Sequence, residues 1–186
     1  MLKVIAVHTS PNEDGLTCQL AKAVLEGAES GGAETELVHL NKLNIESCMA
    51  HDRGWGTCRS DGKCILKDDF QNLREKINHT DALVFCTPVY FGDLSESAKR
   101  FFDRWRRCEI YDHEVSPLKG KPVIGIAAAG GSGGGAVSAL HNLEIYLRWL
   151  QFTIFDLVPV TRISKEHKLD MLKVAGKRVV SQKQLV

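Results

Sequence analysis

Five short apolar runs alternate with helical patterns along this chain, and that alternation limits the fold more than any other feature. Leu2–Val7, Ala82–Cys86 and Val123–Ala129 are continuous apolar runs with β-branched residues, the pattern of strands buried on both faces. Glu34–Leu40 alternates, and Phe152–Val160 supplies a fifth run. Between them lie helical stretches. Residues 16–30 carry Leu16, Leu20, Ala23, Val24 and Gly27 on one stripe and end at Gly31-Gly32. Asp68 or Asp69 caps a helix running to about His79. Asp93 and Glu96 are spaced as a capping box for a helix with the stripe Leu94, Ala98, Phe101, Phe102, Trp105 and Cys108. Residues 109–120 form a loop punctuated by Pro117 and Gly120, a further helix ends near Leu150, and a weak stripe at 167–181 allows a last one.

Strands that alternate with helices imply a parallel sheet covered on both faces. The expected fold is therefore α/β, a doubly wound five-stranded parallel sheet of flavodoxin-like order 2-1-3-4-5. At 186 residues the chain reads as one domain over 1–186, with a cysteine-containing insert at about 41–66 and a C-terminal extension at about 161–186. Lys and Arg number 24 against 23 Asp and Glu, a balance that offers no electrostatic footprint for nucleic acid or an anionic membrane. The first apolar run is too short for a signal peptide, and no stretch approaches a membrane span. A cytoplasmic protein is expected, with its six cysteines serving as thiols or ligands rather than disulfides.

Sheets of this order bind ligands at the carboxyl ends of their strands, where three marked loops fall. Residues 8–17, His-Thr-Ser-Pro-Asn-Glu-Asp-Gly-Leu-Thr, join the first strand to a helix start. The free N–H groups there, with the hydroxyls of Thr9, Ser10 and Thr17, form a seat for a phosphate. The loop has no Lys or Arg and carries Glu13 and Asp14, so neutral donors and the helix dipole must do the holding. Residues 87–93, Thr-Pro-Val-Tyr-Phe-Gly-Asp, offer backbone donors and two aromatics, which suits a flat heterocycle. Residues 128–135, Ala-Ala-Gly-Gly-Ser-Gly-Gly-Gly, allow a close backbone approach to a ligand. The window Gly131–Ala136 also fits a relaxed dinucleotide fingerprint, but it follows the fourth strand instead of the first.

Three motifs carry a resemblance: Ser10-Pro11-x-x-x-Gly15-x-Thr17, Pro88-Val89-Tyr90-Phe91-Gly92 and Lys99-x-x-Phe102-Asp103-Arg104. Together they resemble the flavodoxin-like NAD(P)H-dependent FMN reductases, most of all the branch that includes iron–sulfur flavoproteins. The likeness covers residues 1–108 and extends through the glycine loop to about 150. It implies that Ser10, Asn12 and Thr17 bind the FMN phosphate. It also implies that Pro88, Val89, Tyr90, Phe91 and Gly92 line the isoalloxazine, and that Gly130, Gly131, Ser132 and Gly133 close its other side. The chain departs from the family's pattern at Asn12, where a basic residue is common, and at Leu16, where Asn is common. The implied activity is hydride transfer from NAD(P)H to FMN and on to a small-molecule or protein acceptor, with no catalytic side chain because the cofactor carries the chemistry. The alternative is an iron–sulfur flavoprotein or flavodoxin-type electron carrier without strong NAD(P)H turnover. Relatives also imply a homodimer or homotetramer, to whose surface Phe101, Phe102, Trp105 and Trp149-Leu150 could contribute.

Cys48, His51, Cys58 and Cys64 place four possible metal ligands within one short segment. The resemblance implies a compact four-cysteine cluster motif there, but His51 stands at a cysteine position and Asp52–Thr57 reads as an inserted loop. An iron–sulfur cluster, zinc and metal-free thiols all remain open. Cys18, Cys86 and Cys108 fall on strand or helix patterns and read as small core residues. Lys99, Arg100, Arg104, Arg106 and Arg107 read as a solvated basic helix face that could also attract nucleotide phosphates. His8 could touch a ligand but reads as structural, and His39, His79, His113, His141 and His167 show no ligand spacing. A phosphate-receiver domain is set aside because the required acidic positions hold His8-Thr9-Ser10 and Thr87-Pro88. A P-loop nucleotidase is set aside because no Gly-Lys-Ser/Thr follows a glycine loop.

Overall fold

Strands β1 (Lys3–His8), β2 (Glu34–His39), β3 (Ala82–Pro88), β4 (Pro122–Ala129) and β5 (Thr153–Thr161) pair in parallel in the order β2-β1-β3-β4-β5. The expected fold and strand order are thus observed. The computed structural model describes residues 1–109 and 116–183. Positions 110–115 of the expected 109–120 loop, His113 among them, and the last three residues of the C-terminal extension lie outside the described residues. Every residue of β3 is buried, as is all of β4 after Pro122, because helices cover both faces.

One face packs against α1 (Leu16–Ser30) and α6 (Lys165–Lys183), around Val4, Ala6, Val84, Ile126 and Val160. The other packs against α3 (Phe70–Asn78), α4 (Glu96–Glu109) and α5 (Ala136–Trp149), around Ile5, Val7, Phe85, Val123 and Ala127. A single turn, α2 (Thr57–Ser60), lies within the cysteine segment. Among the described residues no helix is long and apolar enough to cross a membrane.

Glycines act at two places in this frame. Helix α1 stops where the sequence predicts it: Gly32 takes φ +87°, Ala33 N–H donates to Ala28 O and Gly32 N–H to Glu29 O, the paired bonds of a Schellman end. At the α1–α6 crossing, a Cβ on Gly27 would lie 1.9 Å from Lys173 O, and one on Gly176 would lie 2.0 Å from Val24 O. The two main chains touch, so α6 is held by close approach with Leu172, Ala175, Val179 and Val180 beside it. A seam built on Gly and Ala leaves little apolar stripe to read, which is why this helix looks weak in the sequence.

Two expectations are corrected. The capping box at Asp93 and Glu96 does not form. Ser95 precedes α4 and its Oγ accepts from Ala98 N–H, while Asp93 Oδ1 accepts from Leu94 N–H and Asn142 Nδ2. Phe101, Phe102, Trp105 and Leu150 offer no surface for subunit contact, since they fill the core under α4 and α5 and leave only Trp149 of that group partly exposed. Phe102 stacks on Tyr146, and Trp105 meets Phe152 edge-on. Cys18, Cys86 and Cys108 are buried core thiols, as expected, and burial pushes the Cys108 thiol up to about 12.

Gly27→Ala forces a methyl group into the α6 backbone. It is expected to destabilise the protein by about 1–3 kcal/mol, read as a lower urea midpoint with unchanged far-UV circular dichroism.

Candidate functional site

The register aligns the strand exits. His8 stands opposite Cys86 and Pro88 opposite Ala128, and the next residues extend the ladders, with Thr9 N–H donating to Cys86 O and Val89 N–H to Ala128 O. The three marked loops therefore leave one edge of the sheet side by side.

In the first loop, Ser10 Oγ accepts from Asn12 N–H at 3.1 Å, an arrangement that leaves the hydroxyl proton free to donate to a ligand. Asn12 is exposed and Thr17 is buried in the first turn of α1. Gly15 precedes that turn in an extended conformation with no side-chain cap, and the turn holds no acidic residue. Uncapped N–H groups at a helix start are an anion seat. Thr9, expected among the seat donors, instead points inward: it is fully buried, with its Oγ1 2.7 Å from Ser95 Oγ.

Residues not singled out in the sequence brace this loop. Asn41 Nδ2 and Ser97 Oγ both donate to Thr9 O. Lys42 Nζ lies 2.7 Å from Glu13, and that contact holds the Glu13 carboxyl below its ordinary value. These partners lie some thirty or more positions away in the chain, so only the fold brings them together. His8 lies beneath the loop with its Nε2 2.5 Å from His39 Nδ1. Burial, with the His39 ring and Lys22 nearby, lowers its pKa to about 4.

The second loop is a tight turn. Tyr90 and Asp93 exchange backbone hydrogen bonds around Phe91 at φ +51° and Gly92 at φ +77°, the pair of positive angles of a type I′ turn. Phe91 is a bulky residue held in a left-handed conformation with its ring fully in solvent. No burial of the ring offsets the cost of this conformation. The turn rests on the third loop: Ser138 Oγ donates to Gly92 O, and a Cβ on Gly135 would lie 2.5 Å from Gly92 Cα. Between these loops Val89, Phe91, Gly92 and residues 129–135 line an open cleft of about 450 Å³. Gly130 and Gly131 face open space there, so their backbone is accessible.

The expected site residues are thus distributed unevenly. Val89, Phe91, Gly92, Gly130, Gly131, Ser132 and Gly133 share the cleft wall. Pro88 is a buried residue of β3, Tyr90 is half-exposed outside that wall, and Ser10, Asn12 and Thr17 belong to the neighbouring loop. The uncapped helix start and the glycine-walled cleft together fit a phosphorylated flat ring such as FMN.

The cysteine segment does not fit a metal cluster in this conformation. Cys48, Cys58 and Cys64 are half-buried free thiols and His51 is exposed, and their ligand atoms do not gather into a common coordination shell. Cys64 Sγ instead accepts a hydrogen bond from Arg104 Nη2 at 3.3 Å. The basic face of α4, expected to be solvated, largely clamps this segment. Arg100 donates to Ile45 O, Arg104 to Glu46 O and Arg107 to Gly54 O. Arg104 is 1% exposed and forms a two-pronged pair with Asp68, itself 2% exposed, at 2.5 and 2.9 Å. Asp68 also accepts from Glu46 N–H and Phe70 N–H, and Asp69 accepts from Asn44 N–H. Asp69 holds the N-cap position of α3 without a side-chain cap bond, and Asp68, one residue earlier, accepts only from the first helical N–H, the smaller part of what that carboxylate does.

A sequence profile of the NADPH-dependent FMN reductase family matches residues 2–160. The chain belongs to that family. An iron–sulfur flavoprotein of Archaeoglobus fulgidus is 31% identical over 145 residues, which cover 78% of this chain and 68% of that protein. An NAD(P)H dehydrogenase (quinone) of the same organism is 27% identical over 180 residues, covering 89% of this chain and 90% of the other. Among solved structures, an NAD(P)H:quinone oxidoreductase from Methanothermobacter marburgensis shares the fold with a TM-score of 0.73 at 19% identity, covering 96% of each chain. The family places this protein among FMN oxidoreductases.

Two outcomes follow. Burial opposes ionisation of Asp68, but its bonds from Arg104 and the Glu46 and Phe70 backbone outweigh that and hold its pKa below the ordinary carboxylate value. The stability it supplies is therefore full above about pH 4 and lost as pH falls through the lowered value. Asp68→Asn leaves Arg104 buried without its counter-charge and is expected to cost about 3–5 kcal/mol at pH 7, with a flatter acid limb in pH-dependent unfolding. Phe91→Gly relieves the positive-φ strain and is expected to raise stability by about 1 kcal/mol in thermal unfolding while lowering turnover.

Proposed function

We propose that this protein oxidises NAD(P)H through FMN held across the three loops and delivers the electrons to a small-molecule or protein acceptor. The observation that carries this reading is the uncapped start of α1 beside a glycine-walled cleft at the same sheet edge. Family membership and the relatives' names support it.

In this reading the N–H groups of α1's first turn, with the hydroxyls of Ser10 and Thr17, bind the phosphate. Asn12 takes the position beside them as a neutral donor. Pro88 sets the exit from β3, Val89, Phe91 and Gly92 hold one edge of the ring with Tyr90 behind them, and Gly130, Gly131, Ser132 and Gly133 hold the other. Bound FMN supplies the redox chemistry, as an acceptor of hydride from reduced nicotinamide and a donor to the second substrate. Backbone N–H groups of the two cleft loops would face the electron-rich edge of the ring, where preorganised donors favour negative charge. No side chain is assigned as nucleophile or proton donor.

Ser10→Ala and Thr17→Ala are each expected to weaken FMN binding by about 10- to 150-fold, ~1.5–3 kcal/mol, the worth of a hydrogen bond to a charged acceptor. Flavin fluorescence titration of the apoprotein measures this. Unchanged affinity in both variants would remove the loop assignment. FMN binding without NADPH or NADH oxidation in the presence of an artificial acceptor would make the protein an electron carrier.

A further inference from the structure

His8 and His39 end β1 and β2 as the last pair in register, and Cys18 reaches the same place from the first turns of α1. The ligand atoms of these three side chains all lie within 4.8 Å of one another, and they form the one such His/Cys/acidic group among the described residues. We propose that His8, Cys18 and His39 form a binding site for a zinc-like divalent cation, separate from both the cleft and the Cys48–Cys64 segment.

The chemistry of the set is specific. Two imidazoles and one thiolate match the three-protein-ligand pattern of zinc sites that keep a fourth position for water or another ligand. The tetrahedral geometry needs the two imidazole nitrogens about 3.3 Å apart. They now stand at 2.5 Å, so side-chain adjustments of under an ångström open the site. The hydrogen bond between the rings satisfies one nitrogen of His8 and leaves its Nδ1 buried with no hydrogen-bond partner. The two nitrogens that would turn to the ion are therefore His8 Nε2 and His39 Nδ1, now bonded to each other. His8 and Cys18 are fully buried, whereas His39 is only half-buried, so an ion would enter past His39 at the exposed margin of β2.

The surrounding charges bear on the balance. Lys22 and Lys42 face the pair, as does Glu13, and Asp14 faces Cys18. Binding releases the Cys18 proton to solvent, so a divalent cation adds one net positive charge beside Lys22 and Lys42, with Glu13 and Asp14 as the nearby carboxylates. The site joins β1, β2 and α1 directly beneath residues 9–15, so an ion there would brace the anion seat from below.

Cobalt(II) is the probe, because its thiolate charge-transfer and ligand-field bands report tetrahedral sulfur coordination. Metal-free protein is titrated anaerobically as the native chain and as Cys48→Ser/Cys58→Ser/Cys64→Ser, with far-UV circular dichroism confirming that each variant folds. One equivalent bound with a thiolate band in the triple variant is expected. Adding Cys18→Ser should abolish that band, and adding His39→Ala should weaken cobalt and zinc affinity by at least about tenfold. If the triple variant is unfolded, Cys18→Ser and His39→Ala in the native chain must each lower the cobalt stoichiometry by one site. Absence of a thiolate band in folded protein, or binding indifferent to Cys18 and His39, overturns the proposal. Because the readout needs neither FMN nor turnover, its failure is distinct from failure of the proposed oxidoreductase function.

Discussion

Parallel pairing of β1, β3 and β4 is the constraint from which the rest of the structure follows. In a parallel sheet every strand exits at the same edge, and here the register brings His8, Cys86 and Ile126 to one level. Three chain segments that are far apart in sequence must then turn within a few ångströms of each other. Only glycine and tight turns allow that crowding: the Gly92 backbone lies where a side chain on Gly135 would have to go. The cleft is a consequence of strand pairing, and its shape is a consequence of which residues tolerate the crowding.

This explains what could be read from the sequence. Buried parallel strands announce themselves as unbroken apolar runs, so β1, β3 and β4 were legible, as was the strand order once helices filled the gaps. Local turn chemistry made the three loops visible. The partners that brace them were not, because Asn41, Lys42, Ser95 and Ser97 carry no local signature and act only through tertiary contact. Thr9 shows the limit clearly: a hydroxyl in a phosphate-type loop looks like a donor to ligand, yet it is spent on Ser95. The His8–Cys18–His39 grouping was hidden for the same reason, since its members come from three separate elements.

Charge patterning misled in one instructive place. A run of five basic residues over nine positions of α4 looks like a solvated face. Three of them instead reach across to backbone carbonyls of the cysteine segment, and Arg104 is desolvated only because Asp68 matches it with two oxygens. The segment has little regular structure of its own and several residues at positive φ, Ala50, Asp52 and Arg53 among them. Its shape is therefore imposed from outside by α4. Within the motif Lys99-x-x-Phe102-Asp103-Arg104, Lys99 pairs with Asp103, Phe102 fills the core and Arg104 anchors the segment, so the motif is a packing device as much as a family signature.

The crossing of α6 over α1 reaches further than its location suggests. Helix α1 is about 22 Å long and behaves as a single stiff rod, with the anion seat at its front and Gly27 against Lys173 O near its rear. The contact at the rear works as a fulcrum: releasing it would let the rod tilt and swing its front amides off target. The tail of the chain, remote from any ligand, thereby sets the aim of the residues that would grip one.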